Sequence, residues 1–417
     1  MKKRTVRVGL VVLCILVALM ACLPVAAGGL FSGLNILGGE DTVTIPKSEY
    51  ERLMRFARMD EILQLVERYY IEEPDVDAML RFAERTMLYP LDDPYTNYLT
   101  PEDMATEAEE REGAYAGLGM QLMVDQEDNL ITITRVFKNS PAEKAGVLRG
   151  DKILTVNGEE FFGNTMQQAV DVMRGKPGEQ VTVTFWRENV DEPIELVMRR
   201  ETVQVNNVVY EVLPGNVGYM LLYEFNGTDV KGFFEAIDYF AKQKVRGLVL
   251  DLRDNPGGYV LDCVRIADAL VPEGLVVYTE DRYGARQDYV SDADMLGWPL
   301  VVLVNEYSAS ASEILTGAIR DHGVGKVVGT KTFGKGIVQE MRTFPEDGAG
   351  LLLTTMRYYT PSGVSIHGIG IEPDVAVEQP EDLQVLGTAV PHDQDVQLKR
   401  ALEILEEEII NRPPAAQ

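Results

Sequence analysis

Short apolar runs alternate with amphipathic stretches from Glu201 onward, and this alternation restricts the fold more than any other feature of the chain. The run Gly247-Leu-Val-Leu-Asp-Leu252 is typical of a buried strand, and the apolar residues of 229–243 recur at helical spacing. The pattern predicts strands over 217–224, 246–252, 300–304 and 351–359, with helices over 229–243 and 259–270 and after Ser312. Strands that alternate with helices indicate an α/β fold, in which helices cover a sheet.

The length and composition allow more than one domain. The chain has 417 residues, 46% of them hydrophobic and 25% charged, which is typical of a globular protein with two or three cores. Its formal net charge is −27. Such a surface repels phosphate backbones, so composition argues against a nucleic-acid partner.

The N-terminus predicts where the protein is located. A basic cluster precedes an apolar run over 8–27, whose twenty residues would span about 30 Å as a helix. Residues 1–27 are therefore interpreted as a cleaved signal peptide ending near Val25-Ala-Ala27, an uncleaved membrane anchor, or a segment lipidated at Cys22. The basic flank stays in the cytoplasm, so all three alternatives predict an extracytoplasmic body that is membrane-anchored or secreted.

Helical patterns flank the central part of the chain. Residues 28–112 are interpreted as a Gly-rich tether followed by helices over 48–70, 76–87 and 102–112. Residues 381–417 form a C-terminal segment with a helix over 397–410. Helices near both ends could form a homodimer or pack within one chain.

Residues 113–200 form a compact β-rich unit that resembles a PDZ domain. The turn Gly117-Leu-Gly-Met120 is followed by a strand over 130–136, by Ser140-Pro-Ala-Glu-Lys-Ala-Gly146, and by a strand that ends in the hairpin signal Asn157-Gly158. The resemblance implies that Gly117, Leu118, Gly119 and Met120 bind a peptide carboxylate through backbone N–H groups, while the next strand edge pairs with the peptide. The alternative is a PDZ fold that packs on a neighbouring domain and binds no peptide.

Ser310 is the candidate nucleophile. It lies in the small-residue run Ser308-Ala-Ser-Ala-Ser312, after the strand over 300–304 and before a helix. A strand-turn-helix setting exposes a serine hydroxyl beside a helix N-terminus. The three histidines of the chain lie far apart without ligand spacing, so neither a histidine base nor a metal site is expected, and no cofactor is predicted.

Lys335 is the candidate base. A lysine at its ordinary pKa of about 10.4 is almost always charged at pH 7, so it can accept the serine proton only where burial lowers that pKa. The setting Phe333-Gly-Lys-Gly-Ile337 suits a lysine held in an apolar pocket, although a lysine between glycines is also an ordinary turn residue. Gln339, four residues later, could hold the amine in place or simply face solvent.

The turn Asn255-Pro-Gly-Gly258 is the candidate oxyanion site. It follows the buried strand over 246–252, and its backbone N–H groups could face an anion. The N–H of Ala311, next to the nucleophile, would be a second donor. Without this context the turn would be only a strand-to-helix connection.

Six blocks in order resemble the carboxy-terminal processing peptidases, also called tail-specific proteases, from about Ile62 to Asp374. They are 91–96, the PDZ signature, 251–258, 308–313, 332–339 and 359–374. The resemblance implies a serine endopeptidase with Ser310 as nucleophile, Lys335 as general base, Gln339 as the residue that orients the lysine, and Gly257 and Ala311 as oxyanion donors. It also implies a protease core over 201–380 with the ββα repeats of Clp-type proteases and crotonases, into which the PDZ domain is inserted.

Arg174 is a candidate regulatory residue, and Asp254 is a position where the sequence differs from the family pattern. Arg174 matches the region where the family has an arginine that signals tail binding, although an arginine at a helix end is commonly only exposed. Asp254 stands where the family often has asparagine, and an acid beside the oxyanion donors could weaken them.

The sequence therefore predicts an extracytoplasmic serine endopeptidase that recognises C-terminal tails through its PDZ domain. One alternative is an inactive PDZ scaffold, against which the presence of Ser310, Lys335 and Gln339 argues. The other is an acyl-CoA enzyme on the crotonase-like core, which an exported, acidic, PDZ-bearing chain fits poorly.

Overall fold

The computed structural model describes residues 44–125, 128–292, 294–380 and 391–411. The chain divides into two compact units, 1–80 and 81–417. The predicted signal or anchor segment, 1–27, lies outside the described residues, as does most of the stretch between 380 and the C-terminal helix. Within the described parts, none of the helices combines the length and the apolar character that a bilayer crossing requires.

In the described residues the helices are α1 to α10, with three short 3-10 turns at Met54–Phe56, Tyr89–Leu91 and Gly163–Thr165. They are, in order, Lys47–Leu53, Ala57–Tyr69, Val76–Thr86, Pro101–Glu112, Pro141–Ala145, Met166–Met173, Asp229–Gln243, Val260–Leu270, Ala311–Asp321 and Val396–Asn411. The predicted helices over 76–87, 229–243, 259–270 and 397–410 are confirmed to within one or two residues.

The strands in the described part of the chain are β1 to β19. They are, in order, Asn97–Leu99, Ala114–Gly117, Met120–Val124, Ile131–Val136, Lys152–Val156, Glu159–Glu160, Gln180–Trp186, Ile194–Arg199, Glu201–Gln204, Val208–Leu213, Val217–Leu222, Leu248–Asp251, Gly274–Asp281, Arg286–Ser291, Leu300–Val304, Lys326–Gly329, Ile337–Thr343, Gly350–Tyr359 and Val375–Ala376. The sequence did not indicate β13, β14 and β17. These strands belong to a second sheet, in which β13 pairs with β14 and β17 pairs with β18.

The α/β fold expected from the alternation is confirmed by a six-stranded sheet in the order β10-β11-β12-β15-β16-β19. Only β10 and β11 are antiparallel neighbours, and the other pairs are parallel. Alternate residues of the central strands are buried on opposite faces: Leu250 and Val302 pack with α7, α8 and α9, whereas Val249 and Val301 pack with α10. Burial on both faces explains why these strands are continuous apolar runs.

A second sheet, in the order β1-β18-β13-β14 with β17 on β18, lies in the same unit. The register between β17 and β18 shifts between Val338 and Gln339. A bulge of this kind redirects side chains, and Gln339 follows it directly.

The PDZ-like unit is a separate sheet in the order β3-β4-β5-β7-β8, with its own buried cluster that includes Ile131, Val183 and Phe185. The motif that begins at Ser140 contains α5, whose start Ser140 caps with its hydroxyl and whose end Gly146 closes at φ 83°. The predicted hairpin is the β5–β6 turn, where Asn157 and Gly158 both have positive φ. The hairpin predicted from Asn157-Gly158 is therefore confirmed.

Candidate active site

The candidate site lies at the carboxyl edge of the parallel sheet. Strands β12 and β15 are parallel neighbours, with Asp251 opposite Leu303. The turn over 252–258 and the loop that carries Ser310 therefore leave the sheet side by side. Open α/β sheets commonly bind ligands at this edge.

Ser310 occupies a strained turn between β15 and α9. Its backbone has φ 54° and ψ −114°, outside the regions that side-chain-bearing residues ordinarily adopt. Its carbonyl oxygen accepts the N–H groups of Glu313 and Ile314, which begins the helix. The side chain is half-buried, so its hydroxyl sits at a rim rather than in the core.

The amine of Lys335 contacts a nearby glutamine and a tyrosine from a distant segment. Its Nζ donates to Oε1 of Gln339 at 2.8 Å and lies 4.5 Å from the ring centre of Tyr95. Gln339 in turn donates its amide N–H to the backbone oxygen of Tyr95. Gln339 thus contacts the lysine as expected, and Tyr95 is a contact that the sequence did not indicate.

The lysine amine has an environment that favours its neutral form. Burial lowers the pKa of Lys335, and the charge of Asp93 opposes this. Asp93 is occupied by Thr96 and the N–H of Tyr95, so it holds the segment before β1 rather than pairing with the amine. A depressed lysine pKa is the property that a serine-activating base requires.

Glu313 links the two candidate catalytic residues through their backbones. Its Oε2 accepts the N–H of Ser310 at 2.9 Å and the N–H of Lys335 at 2.8 Å. Its Oε1 accepts the hydroxyl of Thr332 at 2.6 Å and the N–H of Gly334 at 2.7 Å. Burial raises the pKa of Glu313, and these four hydrogen bonds partly offset that effect.

The candidate oxyanion turn lies directly against Ser310. Gly257 has φ 104°, and a Cβ there would lie 2.7 Å from Cβ of Ser310 and 2.8 Å from the nitrogen of Ala311. Only glycine therefore permits this approach. The N–H of Gly257 donates to Oδ1 of Asn255 at 2.9 Å. The N–H of Ala311 makes no hydrogen bond to another described residue.

The backbone and the carboxylate of Asp254 both form hydrogen bonds with the side chain of Asn305. Its backbone N–H donates to Oδ1 of Asn305 at 2.9 Å, and its Oδ1 accepts Nδ2 of Asn305 at 2.7 Å. The acid that departs from the family pattern thus joins the turn after β12 to the loop after β15.

A buried ion network lies beneath this turn. Arg253 pairs with Asp251 and Asp395 and donates to Gln397. Burial opposes its charge, but the two carboxylates outweigh that effect and raise the pKa of Arg253. This network attaches the start of α10 to the segment that carries Gly257, one of the two candidate oxyanion donors.

The PDZ-like groove opens into a cavity of about 650 Å³. The cavity is lined by the loop from Gly117 to Met120, by Met166 and Val170 of α6, and on its other side by Pro256 and Gly258. The predicted peptide-binding loop therefore faces the same space as the turn beside Ser310.

Tyr115 and Arg174 lie together at this loop. The guanidinium of Arg174 is 5.4 Å from the ring centre of Tyr115, and the ring packs against the Cα of Gly117. Burial raises the pKa of Tyr115, and the N–H groups of Met120 and Gly119 beside its hydroxyl oppose this. Arg174 is half-buried, so it differs from the exposed helix-end arginine that was the alternative.

The residues that sequence reasoning missed share one property: each acts from another part of the chain or through backbone contacts. Tyr95 lies in the block 91–96, for which the sequence predicted no role. Glu313 is, in the sequence, an ordinary acidic residue in the first turn of a helix. Asn255, which holds Gly257, is part of the turn motif itself. Its buried side chain also donates to the oxygen of Leu222.

Two family models match the chain. Residues 216–377 match peptidase family S41, and residues 132–187 match the PDZ domain. The first match contains Ser310, Lys335 and Gln339, and the second contains Arg174.

Curated relatives match over most of the chain. It is similar to a carboxy-terminal-processing protease of Bartonella bacilliformis, with 38% identity over 367 residues, 85% of this chain and 82% of the relative. It is also similar to a carboxyl-terminal-processing protease of Synechocystis, with 34% identity, 85% of this chain and 84% of the relative. Among solved structures, a photosystem II D1 C-terminal processing protease matches with a TM-score of 0.52 and 32% identity, over 83% of this chain and 99% of that chain.

Proposed function

Because the chain belongs to peptidase family S41, and within it to the carboxy-terminal processing serine proteases, we propose that Ser310 and Lys335 form its catalytic dyad. The observation that carries this proposal is the lysine site. The amine of Lys335 is half-buried, its pKa is lowered, and Gln339 accepts a hydrogen bond from it, while Glu313 joins the backbone N–H of Lys335 to that of Ser310. No histidine is needed in such a dyad.

The reaction follows from these roles. The Oγ of Ser310 attacks the scissile carbonyl carbon while its proton passes to Nζ of Lys335. As the C–N bond breaks, the lysine returns that proton to the leaving amine, and an acyl-enzyme remains on Ser310. Lys335 then takes a proton from water, the water oxygen attacks the ester, and Ser310 recovers its proton as the new carboxyl product leaves.

The oxyanion is bound by backbone N–H groups. Ala311 supplies one, supported by its lack of a hydrogen bond within the described residues. Gly257 supplies the other, supported by its close approach to Ser310. Because Asn255 already accepts the N–H of Gly257, that N–H must be shared with the oxyanion or released to it.

Substrates are protein tails whose C-terminal carboxylate binds the loop Gly117 to Met120. The cavity shared by this loop and the Pro256–Gly258 turn supports this assignment, since a bound tail would continue toward Ser310. Arg174 acts as the sensor of that carboxylate from its place beside the loop. If Arg174→Ala retains activity and ordinary stimulation by tail peptides, the sensor role is wrong.

The enzyme works outside the cytoplasm. The basic cluster and the apolar run over 8–27 support export and attachment to the membrane. A fusion of alkaline phosphatase after residue 45 tests this location: phosphatase activity in intact cells is expected, and an inactive, intracellular fusion would refute it. Fractionation of the same cells would distinguish an anchored product from a released one.

The direct test of function compares tails with free and amidated C-termini. Purified protein should cleave a substrate with a free carboxylate faster than the amidated one, and Ser310→Ala should abolish both activities. Cleavage by Ser310→Ala at the wild-type rate would refute the mechanism. Equal rates for the two termini would refute the tail recognition while leaving the dyad intact.

The two other functions predicted as alternatives are less well supported. An inactive scaffold would bind tails without hydrolysing them, and family membership together with the lowered pKa of Lys335 and its contact with Gln339 favours catalysis. An acyl-CoA enzyme would turn over thioesters without cleaving peptides, which the same hydrolysis assay would reveal.

A further inference from the structure

The backbone of the proposed nucleophile, Ser310, is strained. At φ 54° and ψ −114°, the Ser310 backbone lies where a residue with a side chain is held only by its surroundings. Something must fix this peptide in place, because the relaxed backbone would carry Oγ to a different position.

Glu313 holds the peptide from its N–H side. The side chain is fully buried, and a single oxygen, Oε2, accepts from the backbone nitrogens of both Ser310 and Lys335. The distance between these two nitrogens is therefore at most the sum of the two hydrogen-bond lengths. The other oxygen is fixed by Thr332 and Gly334, so the carboxylate cannot rotate without losing four bonds.

Tyr358 holds the same residue from its carbonyl side. It lies on β18 in the main core, is 1% exposed, and its hydroxyl donates to the oxygen of Ser310 at 3.0 Å. The hydroxyl is therefore placed by the packing of the whole ring. The two contacts are 45 residues apart in the chain yet meet on one residue.

We propose that Glu313 and Tyr358 are positioning residues that clamp the strained backbone of Ser310 from both sides and set its distance from Lys335. The proposal rests on the Ser310–Lys335 dyad. Neither residue needs to touch the substrate. Loss of either contact lets the turn relax, and misplacement of a reacting group by about 1 Å can cost on the order of a hundredfold in rate.

Conservative variants test the clamp. Tyr358→Phe removes one hydroxyl, and Glu313→Gln keeps the shape but replaces one acceptor oxygen with a donor. Each should lower kcat by at least about thirtyfold and leave KM within about threefold, since substrate binding is untouched. The rate at which a fluorophosphonate labels Ser310 should fall in parallel.

Matched controls separate the clamp from general damage. Tyr359→Phe alters the neighbouring tyrosine, which stacks on Tyr278, and Glu306→Gln alters an exposed glutamate that bonds Thr330. Both should keep kcat within about twofold of wild type, as expected for substitutions away from the reacting groups. If Glu313→Gln fails to fold, Tyr358→Phe alone decides by the same thresholds.

The double variant gives a sharper readout. Because both contacts hold one backbone, Glu313→Gln with Tyr358→Phe should be no more than about threefold slower than the slower single variant. Full multiplication of the two losses, or single variants that behave like their controls, would overturn the clamp. If the clamp variants give one of these refuting results while Ser310→Ala is inactive, only the clamp is wrong. If Ser310→Ala remains active, the dyad itself is wrong.

Discussion

Asp395 offers a stability prediction whose magnitude follows from its contacts. It is 2% exposed and lies just before α10. Its Oδ2 accepts from Arg253 at 2.7 Å, and its Oδ1 accepts the N–H of Leu398 at 2.8 Å as the cap of that helix. Asp395→Asn keeps the size and the cap but removes the charge that faces Arg253.

The expected cost comes from the buried guanidinium. Removing one partner of a buried ion pair costs about 3–5 kcal/mol. Arg253 keeps Asp251, at 2.9 Å from its Nε, so the lower value of about 3 kcal/mol applies. Asp395→Ala also loses the cap, which adds about 1 kcal/mol.

Hydrogen exchange of the α10 amides measures this loss locally. Since each 1.4 kcal/mol is a factor of ten, Asp395→Asn should speed their exchange by about a hundredfold. The control is Glu403→Gln, which breaks an exposed pair with Arg400 on the same helix and should change exchange by less than about fivefold. Equal effects of the two substitutions would show that the buried network does not hold α10 in place.

Three further predictions follow from single contacts. Gln339→Leu removes an acceptor that favours charged Lys335, so the pH midpoint of kcat/KM should move down while the plateau falls about tenfold; an upward shift would refute the orienting role. Tyr115→Phe removes a hydroxyl beside the N–H groups of the proposed tail-binding loop, so fluorescence polarisation should show tighter binding of a tail peptide; weaker binding would argue against competition between that hydroxyl and the tail carboxylate. Burial and the charge of Asp262 raise the pKa of Asp229 to about 6, so the folded protein should lose stability as the pH rises from about 4 to about 6. The urea midpoint of Asp229→Asn should not show this loss. An identical pH dependence of the urea midpoint in the variant and the wild type would contradict the prediction.

Local patterns made much of the fold predictable. The β12 and β15 runs are apolar because both faces of the sheet are covered, and the PDZ turns carry glycine and asparagine where positive φ is required. Ser310 stays a predicted nucleophile, proposed because it lies in a small-residue run between a strand and a helix.

Contacts between distant segments were not predictable from those patterns. Tyr95 reaches Gln339 across 244 positions, and Tyr358 reaches Ser310 across 48. The β13–β14 hairpin was missed because β14 has mixed, mostly exposed residues and is stabilised by pairing in the second sheet. Glu313 was visible in the motif, but only the folded loop shows that one of its oxygens binds both backbones.

The pH dependence of Ser310 acylation tests the central claim most directly. If the proposed dyad is right, a fluorophosphonate should react at Ser310, and mass spectrometry of the labelled peptide identifies the modified site. The account predicts that the labelling rate of wild type rises with pH with a midpoint below the ordinary lysine value of about 10.5, because neutral Lys335 is the base. In Lys335→Met the rate should fall at least about a hundredfold and lose that midpoint. Labelling of Lys335→Met at the wild-type rate, or modification of a different serine, would contradict the account.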